Sequence, residues 1–225
     1  MKIYTKQITR QYFRPGKATN VFTAVKETDF TLEEGKLTEI TGRSGSGKST
    51  FLNMLSGLLK PTTGNVIYGE EDIYAKEDED LSKFRNRHIG VIPQGQTGLS
   101  SLTVLQNVML PVWMYEDTVP EEEALILLRK VGIEELKDAY PTELSGGELR
   151  RMSIARALIR KPDVIFADEP TGDLDDENTK IVLSLLKEIA AEGRSVLLVT
   201  HEKEAADYAD IIYEMKDGNL KRLSE

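Results

Sequence analysis

The sequence predicts an α/β protein built on a mostly parallel sheet, and three features carry that expectation. Short apolar runs such as Val164-Ile165-Phe166-Ala167 alternate with segments whose apolar residues recur every three or four positions. Such alternation of strands and helices implies right-handed βαβ units. A glycine-rich loop also follows one expected strand and opens an expected helix. The 225 residues are 40% hydrophobic and 30% charged, a globular balance with material enough for one compact domain.

The elements follow in order. Lys2 to Thr9, Val21 to Leu32 and Leu37 to Thr41 read as β, punctuated by turns at Pro15-Gly16 and Glu34-Gly35. From Lys48, the spacing of Phe51, Leu52, Leu55 and Leu58 predicts a helix with one apolar face. Asp72 to Asp80 is acidic and poor in apolar residues, which predicts a solvated loop. His88 to Ile92 reads as a short buried strand. Val104 to Leu110 and Glu121 to Val131 predict helices divided by Pro111 and Pro120, and this middle stretch forms a helical lobe. Glu148 to Arg160 places Met152, Ala155 and Ile159 on one helical face. Val164 to Ala167 is a buried strand, Asp175 to Glu192 is a helix with Ile181, Leu185 and Ile189 one turn apart, and Ser195 to Thr200 is another buried strand.

Composition removes several classes of function. The chain has no cysteine, so a disulfide framework, a thiolate metal site and a thiol nucleophile are all excluded. The N-terminus lacks an apolar signal core, and the longest apolar runs are too short to span a bilayer. A net charge of −9 argues against general attraction to nucleic acid or anionic lipid. The chain closes at Leu223-Ser224-Glu225 soon after its last strand, so neither a C-terminal regulatory domain nor a fused membrane segment is expected.

The strongest chemical signal is Gly42-Arg43-Ser44-Gly45-Ser46-Gly47-Lys48-Ser49, a full phosphate-loop match. Glycines let backbone N–H groups converge on phosphate oxygens, Lys48 reaches the outer phosphates, and the Ser49 hydroxyl suits Mg²⁺. The motif binds a nucleoside triphosphate. The strand before Asp168 and Glu169 delivers both carboxylates to its carboxyl end, where ligands sit in open α/β sheets. Asp168 is expected to hold Mg²⁺ and Glu169 to take a proton from attacking water, so the predicted reaction is hydrolysis. Leu144-Ser145-Gly146-Gly147-Glu148 opens a helix and makes a second anion-binding surface. Two such faces on one chain suggest an isologous pair in which each completes the other's site.

These motifs, in this order, resemble the nucleotide-binding subunit of an ATP-binding cassette (ABC) transporter over nearly the whole chain. Leu144 to Glu148 matches the family signature with Glu148 in the glutamine position, and Gln94 matches the glutamine loop. Pro170-Thr171-Gly172-Asp173-Leu174-Asp175 resembles the aspartate loop, and Val199-Thr200-His201-Glu202 the histidine switch. The resemblance implies a P-loop NTPase fold with an N-terminal antiparallel β subdomain and an inserted α-helical subdomain. The core would take about residues 1–93 and 160–225, and the helical signature lobe about 94–159.

The same resemblance implies ATP and Mg²⁺ as cofactors. It assigns Glu169, His201, Lys48 and Gln94 to catalysis and Ser49, Gln94 and Asp168 to the metal. Nucleotide contacts would come from Gly42 through Thr50, from Ser145, Gly146, Gly147 and Asp175, and from Tyr12 stacking on adenine, with Phe13 as the alternative. It further implies an ATP-dependent homodimer and a separate permease, which would hold the chain at the cytoplasmic face of a bacterial membrane. Leu102 to Tyr115, including Trp113, is the region where such subunits dock a permease helix. The Glu169 to Asp175 string resembles most the subfamily of lipoprotein-release, macrolide-export, peptide-antibiotic-export and cell-division ATPases, with Asp173 replacing its usual asparagine.

Overall fold

The computed structural model describes residues 1–13, 20–95, 98–172 and 174–224. The Pro15-Gly16 turn, Asp173 and Glu225 lie outside the described residues. Among these residues there are two sheets and six α-helices. The first sheet joins β1 (Ile3–Phe13), β2 (Val21–Leu32), β4 (Thr63–Tyr68) and β5 (Glu71–Asp72) in the order β2-β1-β4-β5, antiparallel throughout. The second joins β3 (Leu37–Thr41), β6 (Ile89–Ile92), β7 (Val164–Asp168), β8 (Ser195–Thr200), β9 (Ile211–Lys216) and β10 (Asn219–Ser224) in the order β10-β9-β3-β8-β7-β6. Only the β9-β10 pair is antiparallel in this sheet. The expected architecture, a parallel core with an antiparallel β layer and an inserted helical unit, is the one observed.

Side-chain alternation divides the interior in two. Val164 and Phe166 of β7 and Leu197 and Val199 of β8 face a cluster holding α1 (Lys48–Leu55) and the antiparallel sheet, including Phe51, Leu52, Ile3 and Val25. The intervening Ile165, Ala167, Val196 and Leu198 face α6 (Asp176–Ala191) and the helical unit. That unit is α3 (Val104–Trp113), α4 (Glu121–Lys130) and α5 (Gly146–Leu158). Strands covered on both faces read as continuous apolar runs, which is why β7 and β8 are visible in the sequence. Full burial of a side chain such as Phe166 contributes roughly 1.5–3 kcal/mol.

Several expectations are corrected. The acidic stretch is not simply a loop: β5 and a 3-10 turn at Ile73–Ala75 lead into α2 (Asp78–His88). Its Asp78, Glu79 and Asp80 occupy the first turn and Arg85, Arg87 and His88 the last, complementing the helix dipole. With Leu81 as the buried residue of the helix, no apolar periodicity marks it. His88 ends this helix rather than starting β6. Pro111 does not end α3, because Val104, Val108, Met109 and Val112 are packed into the core on both sides of it. β1 runs on to Phe13, past Thr9. Leu58 and Ile181, expected on buried faces, are exposed: α1 has ended at Leu55, and α6 buries Val182, Leu185, Leu186 and Ile189 instead.

Candidate functional site

Three adjacent parallel strands, β3, β8 and β7, assemble three separate sequence motifs at their carboxyl ends. β3 delivers the phosphate loop, β7 delivers Asp168 and Glu169, and β8 delivers His201. The loop then turns into α1 through Gly47, whose φ of 112° lies in the left-handed region. A Cβ there would lie 2.3 Å from the Ala24 carbonyl oxygen, so only glycine fits. Gly47 offers no side-chain cap, which leaves the first N–H groups of α1 to an anion. The loop is braced from below, where the Gly218 N–H donates to the Ser46 carbonyl at 3.0 Å and the Lys26 N–H donates to Gly218 at 2.9 Å.

Lys48 is buried and arches back over the loop. Its Nζ donates to the Gly42 carbonyl at 2.7 Å and stands 3.8 Å from Glu169 Oε1. Ser49 Oγ donates to Asp168 Oδ1 at 3.0 Å. Burial pushes the Asp168 carboxyl above its usual range and the Glu169 charge adds to this, while the Ser49 hydrogen bond and Lys48 oppose it. Glu169 has a φ of 46°, a left-handed conformation costly for a residue with a Cβ and characteristic of functional positions. Its N–H donates to the Val199 carbonyl at 2.9 Å, and its Oε2 is 2.9 Å from His201 Nδ1.

A cleft of about 560 Å³ runs from this cluster to the ends of β1 and β2. Its polar end is lined by Ser44, Lys48, Ser49, Gln94 and Glu169, with Thr50 among them. Its other end is aromatic: Tyr12, Phe13 and Phe22 line it together. Tyr12 and Phe22 are partners across the β1-β2 ladder, and the Arg10 guanidinium covers the Tyr12 ring at 4.8 Å. Phe13 is 70% exposed. Sequence reasoning missed Phe22, because its place beside Tyr12 depends on strand register. Gly42, Arg43 and Ser46 line a neighbouring hollow under the loop.

The signature residues do not line this cleft. Ser145 caps α5 in a reciprocal box: its N–H donates to Glu148 Oε2 at 2.7 Å, and the Glu148 N–H donates to Ser145 Oγ at 3.3 Å. The Ser145 N–H and the Ser145 hydroxyl, which also donates to Glu148 Oε2 at 2.8 Å, hold the Glu148 carboxyl below its usual range. Gly147 packs so closely on α6 that a Cβ would come within 2.2 Å of Asn178 Oδ1, a side chain that also accepts from Arg151 at 2.8 Å. Asp175 caps α6 by accepting from the Asn178 N–H at 2.8 Å. Gln94 is tied to the signature helix indirectly, since Arg150 of α5 donates to the neighbouring Pro93 carbonyl at 2.8 Å.

A glycine loop at a helix N-terminus, two carboxylates at the end of the next strand but one in the sheet and an aromatic platform define a phosphate-loop nucleotide-binding protein. Comparison with known proteins narrows this class. The sequence profile of the ABC transporter family matches residues 25–172. The chain is 41% identical over 198 residues to the lipoprotein-releasing system ATP-binding protein LolD of Treponema denticola, covering 87% of this chain and 88% of that one. It is 40% identical over 199 residues to the macrolide export ATP-binding/permease protein MacB of a Shewanella species, covering 87% of this chain and 31% of that longer protein. Among solved structures, the dimeric bacterial ABC transporter cassette MJ0796 superposes with a TM-score of 0.89 at 34% identity, covering 99% of both chains. The same cassette in a post-hydrolysis state bound to ADP and Pi gives 0.89 at 33%, again covering 99% of both chains. The chain belongs to the ABC transporter family and is an ATP-binding, ATP-hydrolysing cassette of it. No helix among the described residues is long and apolar enough to cross a membrane.

Proposed function

We propose that the chain drives a separate membrane permease by closing on a second copy of itself around ATP, and opening again after hydrolysis. The observation that carries this reading is the separation of the two anion-binding surfaces. Ser145, Gly146 and Gly147 stand apart from the cleft that holds Lys48 and Ser49, so one chain cannot bring both to one nucleotide. Head-to-tail pairing puts Ser145 and Gly147 of one copy over the phosphates held by the other, with Asp175 near the seam. The dimeric state of the MJ0796 cassette supports this arrangement.

Within each site, the triphosphate lies on the N-terminus of α1, and Tyr12 stacks on the base with Phe13 beside it. Lys48 leaves the Gly42 carbonyl and Glu169 for the outer phosphates. Glu169 then accepts a proton from the water that attacks the γ-phosphorus, while the bond to the bridging oxygen breaks and ADP leaves. His201 steadies Glu169 and donates to the γ-phosphate.

The donor set also fits Mg²⁺. The Ser49 hydroxyl and the Asp168 carboxylate already meet at 3.0 Å, and the Gln94 amide borders the same cleft, giving hard oxygen ligands. When bound, Mg²⁺ would neutralise charge on the phosphate oxygens. Gln94 lies where residues 94–159, proposed as a mobile signature lobe, join the core, so it senses closure. The exposed Met114 and Tyr115 at the end of α3 extend the surface proposed for permease docking, whereas Trp113 packs partly against the core. Through that permease the chain would sit at the cytoplasmic face of the membrane, with no role for nucleic acid.

The decisive experiment is Glu169→Gln, assayed for turnover and for oligomeric state with ATP. Turnover falls about 10²- to 10⁴-fold, the contribution of a general base, while ATP is still bound and the dimer persists. Normal turnover in this variant rejects the assignment.

A further inference from the structure

The His201 ring reaches Glu169 although little packs around it: its side chain is 64% exposed. What holds it lies in the backbone beneath. β7 and β8 pair in parallel as far as Asp168 and Val199, and the Glu169 N–H adds one more contact to Val199 at 2.9 Å. Past this point β7 leaves the sheet, with Glu169 already in its left-handed conformation, while β8 runs one residue further, to Thr200 beside β3. Yet the two segments are tied again one step further out. Thr171 Oγ1 donates to Glu202 Oε2, and the Glu202 N–H donates to Thr200 Oγ1 at 3.1 Å. Thr171 and Thr200 are both fully buried, so this second tie is anchored in the interior. The pair of Glu169 and His201 is therefore held between two fastenings.

The geometry points to Thr171 and Glu202 as positioning residues for hydrolysis: their hydrogen bond fixes the two post-strand segments at the separation where the His201 imidazole meets Glu169. The inference rests on the catalytic reading of Glu169 and His201 given above. It also gives the aspartate-loop string a direct mechanical path to the histidine, because Thr171 belongs to that string and Glu202 follows His201 in the chain. A displacement of Thr171 carries Glu202, and the ring swings away from the carboxylate.

The chain has two histidines, which makes the test clean. Imidazole resonances of the full-length protein are followed by NMR alongside steady-state ATP hydrolysis. Thr171→Val and Glu202→Ala should move the His201 resonances and leave those of His88, which is held by Asp163 at 2.6 Å, in place. Both should lower kcat about tenfold, as expected when a reacting group is misplaced, with KM for ATP within about twofold. Thr171→Ser and Glu202→Gln keep a donor and an acceptor respectively and should behave as the unsubstituted chain. Should Thr171→Val fail to fold, Glu202→Ala, at a half-buried position, carries the test. Unmoved His201 resonances with unchanged kcat overturn the inference. So does Thr171→Ser as impaired as Thr171→Val, or a shift of the His88 and His201 signals together, the mark of a general packing contact. Glu169→Gln assayed in parallel keeps the two claims apart, since normal turnover there removes the base assignment while the resonances still report the tie.

Discussion

Glu39 stands in the middle of β3, three positions before the phosphate loop, with 1% of its surface exposed. Its Oε2 has no hydrogen-bond partner among the described residues, and burial pushes its carboxyl up to about 7 from 4.5. The folded chain thus holds this proton more tightly than the unfolded one. The contribution of this one group to stability is greatest below about pH 4.5, falls as pH rises through the window up to about 7, and stays lowered above it. Glu39→Gln keeps the shape and removes the ionisation. Its thermal stability should match the parent near pH 4 and exceed it at pH 8 by on the order of 3 kcal/mol. Calorimetry at the two pH values checks this, and an equal gain at both would contradict it. No sequence signal singled out Glu39, because both faces of β3 are covered by elements far away in the chain. Lys48, Ser49, Asp168 and Glu169 were legible for the opposite reason: each lies in a contiguous string whose chemistry is local. Phe22 and the Thr171–Glu202 tie depend on which strands become neighbours, and no short window of sequence carries that.

Elements were legible where burial imposes a period. β2, β3 and β8 fall where the apolar pattern predicts them, to the residue. α2 was hidden because its apolar side amounts to Leu81 and Phe84 alone, while charges at its two ends complement the helix dipole. α5 shows an element serving two purposes. Its cap, Ser145, is engaged with Glu148 in this state, and the same hydroxyl is proposed to meet the partner's nucleotide. Ser145→Ala separates the two. Loss of an N-cap costs about 1 kcal/mol, a fall of roughly 2–4 °C in Tm for a domain of this size. Loss of the phosphate contact abolishes the ATP-dependent dimer, measured by size exclusion in the Glu169→Gln background. A dimer that forms as before leaves Ser145 as a cap alone.

For the whole molecule, the order of motifs along the chain fixed the fold class, and the signature residues lie outside the cleft of their own copy. The sheet order β3-β8-β7 explains how residues 48, 169 and 201 converge. It equally explains why Ser145, on a helix packed against the far cluster, does not join them. Hydrolysis per chain is accordingly expected to rise with protein concentration and to vanish at high dilution. Specific activity measured over a dilution series checks this, and a constant value would mean that one copy suffices.

The underside of the phosphate loop sets the kinetics of capture. With Gly47 seated against the Ala24 backbone and Ser46 fastened to Gly218, the cradle exists before any ligand arrives. Little ordering entropy remains to be lost on encounter, so the first collision in the right orientation can be productive. On the proposed pairing, the slower step left to the cycle is the meeting of two loaded copies rather than the docking of the triphosphate on either one.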